Sequence, residues 1–301
     1  MRKFRDLCVS EGWLKYECQK FQVNTPCSSP EMKIIPPWCI ALMLVYAVLI
    51  TSLGHIVKLI KNPGLATTLE ERESAYTRIN VLEDKDTRWL SFSNQPTYQS
   101  LMYRSPDRRD TLAAPYVLAL AKRIESASPW QKILIIGLGG GSLPRYLRQK
   151  YPKAQITVSE IDPAVVEVAK EYFYFEPQNF ELKLEDVRVT LKSAATIKYD
   201  IIVLDAYTNA HAPPHLCTVE FFQQTRDHLA PEGILLVNVS KPTPQFKTYL
   251  SNTLACVFGD VYFSSVINSY NNIAIASGVS HEVHHPHLSD DFSPIHHLLQ
   301  P

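Results

Sequence analysis

The chain has 301 residues, 46% hydrophobic and 20% charged, enough for one large α/β domain plus a smaller appendage. Lys and Arg number 30 against 30 Asp and Glu, so the formal net charge is zero and no basic surplus argues for nucleic acid. The six cysteines (Cys8, Cys18, Cys27, Cys39, Cys217, Cys256) offer no CxxC and no His/Cys pair at zinc spacing, and read as reduced structural thiols rather than disulfides or metal ligands.

Residues 1–37 form a polar extension of mixed charge, within which Met32 opens a second start. Trp38 to Val57 is then a run of 20 residues without Lys, Arg, Asp or Glu. About 20 apolar residues span a bilayer as a helix, and Trp38 at one end with Lys58 and Lys61 at the other match interfacial anchors. We read residues 38–61 as a hydrophobic transmembrane helix, so that the membrane is engaged through 38–57. A buried helix and the apolar core of a signal peptide are the alternatives, the latter weakened because no small-x-small cleavage site follows. The Lys and Arg before the run place the N-terminus inside, whereas a start at Met32 reverses that bias.

Asn62-Pro63-Gly64 breaks the helix, and Thr67 to Arg72 reads as a polar linker. Across residues 70–106 the pattern becomes short alternating segments, 76–83, 87–93 and 97–103, a small antiparallel β meander. Residues 106–109 read as a loop, and 112–125 as a helix with Leu118, Ala121 and Ile124 on one face. From 110 to 298 the chain alternates strand and helix. The β-branched run Ile133–Ile136 ends in Gly137, Gly139, Gly140 and Gly141; Ser142 is placed to cap the next helix, with Pro144 in its first turn. A second strand ends at Glu160 and Asp162, and Asp162-Pro163 opens a helix striped by Val165, Val168, Ala169 and Tyr172. Strands follow over 180–184, ending at Glu185-Asp186, over 199–204, ending at Asp205, and over 233–239, 261–266 and 272–276. Helices cover 218–229 and 245–257. Nearly continuous apolar strands mean a mostly parallel sheet covered on both faces.

Ligands bind such sheets beyond the carboxyl ends of the strands. Four acids fall at such ends. Glu160 lies about 20 residues after the first glycine, the distance of a ribose-binding acid. Asp186 is placed to accept from an exocyclic amine, and Asp205 to hold or deprotonate a second substrate. Each acid is also open to the simpler role of capping a helix, which we favour for Asp162. A dinucleotide fingerprint wants Gly or Ala where this chain has Ser142, so the turn Gly137–Gly141 matches the S-adenosylmethionine type instead. His211 and His215 flank Pro213-Pro214 in the loop after Asp205, and the tail is rich in His, but no compact metal-ligand set is spelled out.

The stretch ILIIGLGGGSLPRYL…VSEIDPAVVEVAKEYF…LEDVRVTL…YDIIVLDAY…PEGILLVNV resembles the spermidine synthase (polyamine aminopropyltransferase) family, most closely its membrane-associated branch. The meander ESAYTRINVLEDKDTRWLSFSNQPTYQS and the closing LSDDFSPIHHL carry the same resemblance. It implies transfer of an aminopropyl group from decarboxylated S-adenosylmethionine, a co-substrate rather than a prosthetic group, to a small-molecule amine such as putrescine. It implies that Gly137, Gly139, Gly141, Glu160, Asp186 and Gln99 bind the donor, and that Asp205 is the catalytic base. Tyr207, Asn209 and Asp110 would help hold the acceptor. It further implies a cytoplasmic catalytic domain and a homodimer. The chain departs from the family in three places: Gly140 stands where an acid is usual in the glycine turn, Thr208 replaces a second acid beyond Asp205, and no tyrosine-glutamate pair occurs around Asp110 to Tyr116. Two rival readings remain: a methyltransferase using S-adenosylmethionine, and an inactive binding protein of the same fold.

Overall fold

A computed structural model describes residues 66–93, 98–193, 196–208 and 212–278. The chain divides into two units, Met1–Pro63 and Gly64–Pro301, and every described residue belongs to the second. The polar extension, the apolar run 38–57, Asn209, His211 and the His-rich tail lie outside the described residues. Among the described residues no helix is long and apolar enough to cross a membrane.

The small sheet is an antiparallel meander, β1 (Thr67–Glu73), β2 (Arg78–Glu83), β3 (Thr87–Phe92) and β4 (Ser100–Tyr103). Its first strand corrects the sequence reading, which made Thr67–Arg72 a linker. β1 is an edge strand with one apolar residue, Leu69, so hydropathy shows no alternation there, yet its backbone pairs with β2 from Thr67↔Glu83 to Glu73↔Arg78. Arg72 bonds Glu70 at 3.1 Å and Tyr172 donates to Glu70 at 3.1 Å, tying the edge to the larger domain.

The second sheet has seven strands in the order β10-β11-β9-β8-β5-β6-β7. β5 (Lys132–Ile136), β6 (Gln155–Glu160), β7 (Glu181–Leu184), β8 (Tyr199–Leu204) and β9 (Leu229–Ser240) run parallel. β10 (Asp260–Ser265) and β11 (Asn271–Ser277) close the sheet antiparallel. Alternate residues of β5 go to opposite layers. Ile133 and Ile135 pack with α1 (Pro115–Ser126), α2 (Ser142–Lys150) and α3 (Pro163–Phe173), while Leu134 and Ile136 pack with α4 (Val187–Ser193), α5 (Val219–Asp227) and α6 (Pro244–Ala255). Ile79, Val81, Leu90 and Met102 of the small sheet join the first layer, so its apolar face is buried by the same core.

Three local expectations change. Leu118 is 40% exposed, because α1 buries the stripe Val117, Leu120, Ala121 and Ile124 instead. Ser142 does not cap α2: Gly141 occupies the cap in the left-handed region and makes no side-chain bond, so Ser142 is already helical. The helix α4 was not expected; Asp186 accepts the Arg188 N–H at 2.7 Å and starts it. Asp162 does cap α3, accepting from Ala164 N–H at 2.9 Å with Pro163 in the first turn.

Candidate active site

The strand order reverses between β5 and β8, and the carboxyl ends of the strands open there onto a cavity of about 230 Å³. Gly137 makes the close approach possible: it takes φ 96°, and a Cβ on it would stand 2.2 Å from the Asp205 carbonyl oxygen. Gly137 and Gly139 line the cavity, whereas Gly141 lies behind it, against the ring of Phe175. Gly140 is packed as well. A Cβ there would be 3.0 Å from Phe173 and 3.1 Å from Ser100, and its N–H donates to Ser100 Oγ at 2.7 Å. Ser100, on β4, thereby braces the glycine turn from the small sheet. Nothing in the residue pattern marks it, because a lone serine in a short strand has no distinctive spacing.

Glu160, 9% exposed at the end of β6, accepts the Leu138 N–H at 2.9 Å and the Asp162 N–H at 3.0 Å. Burial raises its pKa, and those backbone bonds oppose the rise. Asp162 Oδ2 is buried at the same wall without a hydrogen-bond partner. At the far end Asp186 receives His215 Nε2 at 3.0 Å, so His215 closes over β7 rather than over Asp205. Thr190 donates to Glu185 there at 2.9 Å.

Asp205 sits opposite, at the end of β8. Burial pushes its carboxyl up to about 7, and the Asn238 Nδ2–H donated to Oδ1 at 2.7 Å pulls the other way. Tyr207 also lines the cavity, but its hydroxyl is engaged, donating to the Asn238 carbonyl at 2.6 Å and accepting from Ser240 N–H at 2.7 Å. Gln99 lines the wall from the small sheet, and its carbonyl takes the Tyr116 hydroxyl at 2.6 Å. Burial, then the charge of Asp205, raises the Tyr116 pKa well above the usual tyrosine value. Asp110 does not join the site. It is half-exposed and pairs with Arg145 on α2, which draws it to the surface away from the cavity. Among the described residues no group of His, Cys, Asp and Glu could hold a metal ion, and Cys217 and Cys256 are not joined in a disulfide.

Five carboxylates line the cavity (Glu160, Asp162, Glu185, Asp186, Asp205), and no Lys or Arg does among the described residues. With the glycine turn and the antiparallel closing hairpin, this defines an S-adenosylmethionine-type Rossmann-like domain. Comparison with known proteins narrows the class. A family model described as "Spermine/spermidine synthase domain" matches residues 121–281. The polyamine aminopropyltransferase of Vibrio vulnificus is 34% identical over 267 residues, covering 86% of this chain and 86% of that protein. The chain belongs to the spermine/spermidine synthase family. Two solved structures share the fold. A probable spermidine synthase from Corynebacterium glutamicum is 22% identical, with TM-score 0.59 over 69% of this chain and 79% of that one. Human methyltransferase-like protein 13 is 24% identical, with TM-score 0.51 over 57% and 85%.

Proposed function

We propose that the protein is a transferase moving an aminopropyl group from decarboxylated S-adenosylmethionine to a small amine such as putrescine. The observation that carries this is the charge of the cavity: five carboxylates and, among the described residues, no Lys or Arg suit a sulfonium donor and an ammonium acceptor together. Family membership supports the same chemistry. The donor's ribose hydroxyls donate to Glu160, whose oxygens keep acceptor capacity beyond the two backbone bonds. Asp186 faces the adenine amine. The acceptor amine attacks the propyl carbon beside the sulfonium; the new C–N bond forms as the C–S bond breaks, and the neutral thioether nucleoside leaves. Asp205 takes the proton that the nitrogen loses. Its value of about 7 keeps it a competent base near neutrality.

Gly140 favours a second reading. Packed against Phe173 and Ser100, it leaves no room for an acid to hold the donor's amine, which lets the carboxylated donor compete and supports methyl transfer instead. Incubation with each donor and a panel of amines separates the two: aminopropylated amine with release of the thioether nucleoside supports the first reading. Methylated product supports the second, and no binding of either donor by calorimetry sinks both. The run 38–57 anchors the chain in a membrane, with the catalytic domain on the cytoplasmic side; carbonate extraction and protease protection test it. The family resemblance also makes the active form a homodimer, to be weighed by sedimentation.

A further inference from the structure

A chain of four hydrogen bonds runs from the β10–β11 turn to the base and points one way throughout. The Asn271 backbone N–H donates to Ser269 Oγ at 3.2 Å, and the Ser269 hydroxyl donates to Asn271 Oδ1 at 2.7 Å. That leaves Asn271 Nδ2 to donate to Asn238 Oδ1 at 2.7 Å, which turns Asn238 Nδ2 towards Asp205 Oδ1 at 2.7 Å. An ionised carboxylate can only accept, so Asp205 fixes the polarity of each amide before it: Asn238 must turn Nδ2 towards it and Oδ1 towards Asn271. Asn238 is 4% exposed on β9, and its side-chain oxygen is held by Asn271, so its amide has little freedom to turn.

We propose that Asn238 and Asn271 are positioning residues for Asp205: the relay fixes which carboxylate oxygen faces the cavity and holds that oxygen as a proton acceptor. This rests on the reading of Asp205 as the base. With Oδ1 occupied by Asn238, Oδ2 is the oxygen left for the amine. Aligned donors reinforce one another, and all of them favour the ionised carboxylate. The titratable groups sharing the cavity are Tyr116 on α1, Tyr207 on the same loop, Tyr76 before β2, Glu160 and Asp162 after β6, and Glu185, Asp186 and His215 at the far end. None of them carries a positive charge beside Asp205, so the amide is the group that offsets its burial.

The test is a carboxyl titration by 13C NMR of full-length protein in mild detergent, labelled at aspartate, with the Asp205 signal assigned through Asp205→Asn. Asn238→Ala is expected to raise the Asp205 midpoint by about one unit. Asn271→Ala, which frees the Asn238 amide to turn, raises it less. Asn271→Asp raises it further than Asn271→Ala, because an acceptor at 271 draws Asn238 Nδ2 away. In turnover, the acid limb of kcat/KM moves up by the same amount in each variant while donor affinity stays constant. Midpoints within about 0.3 unit of wild type in folded Asn238→Ala and Asn271→Asp overturn the relay. Should Asn238→Ala not fold, the Asn271 pair decides. Absence of any transfer by wild type defeats the base reading, yet the titration still judges the relay.

Discussion

Asp205 joins opposed demands, since burial favours its neutral form and the proposed role as base needs the anion. Asp205→Asn is expected to lower kcat by about 10²–10⁴-fold while leaving donor affinity intact, as read by steady-state kinetics beside calorimetry. The pH dependence follows in sign. Turnover rises as pH passes upward through about 7, where the carboxyl ionises. Stability runs the opposite way. The folded value lies above the ordinary 3.8, so the contribution is complete below the latter and is lost as pH rises through about 7. Asp205→Asn therefore melts above wild type at pH 8, with a gap that narrows towards pH 5; equal melting temperatures across that range would contradict the burial. Gly137 is the other decisive residue. Gly137→Ala needs a left-handed backbone, costing about 1–2 kcal/mol, and also meets the Asp205 carbonyl, so denaturant unfolding should show a larger loss than that.

Among the elements, α3 connects stability to the site. Its start is held by Asp162 and Pro163, and its last residue, Phe173, is fully buried against the back of Gly140. Phe173→Ala should cost about 3–5 kcal/mol in denaturant unfolding and weaken donor binding, because the glycine turn loses its backing. The ion pairs of the edge strand β1 behave differently. Arg72 and Glu70 are partly exposed, and Arg72→Ala should change stability by no more than about 1 kcal/mol. What keeps β1 in the sheet is its backbone ladder with β2 and the packing of Leu69 against the core.

The whole molecule is neutral in formal charge, so the acidic cavity is a local field within a balanced surface. Ligand binding should be read by the entire domain, since the glycine turn, the small sheet and both helical layers meet at the cavity wall. At about 100 times its dissociation constant a ligand adds about 2.7 kcal/mol. For a domain of this size that is a rise of about 5–10 °C in Tm. Decarboxylated S-adenosylmethionine should give this rise in scanning calorimetry, and S-adenosylmethionine a smaller one; the reverse order would support methyl transfer.

The sequence by itself determined the alternation of strand and helix, the glycine turn, and the acids at the ends of β6, β7 and β8. These are local signals: β-branched runs, turn glycines, and a cap-and-proline pair at Asp162-Pro163. It did not reveal β1, whose pairing is made by backbone and which carries a single apolar side chain, Leu69. Nor did it separate Asp110, drawn off by Arg145, from the acids that reach the cavity. Only the tertiary structure brought Ser100 onto Gly140 and Asn271 onto Asn238, each contact joining elements distant in the chain. Such pairs are fixed by strand order and register, which leave no periodicity in the residues themselves.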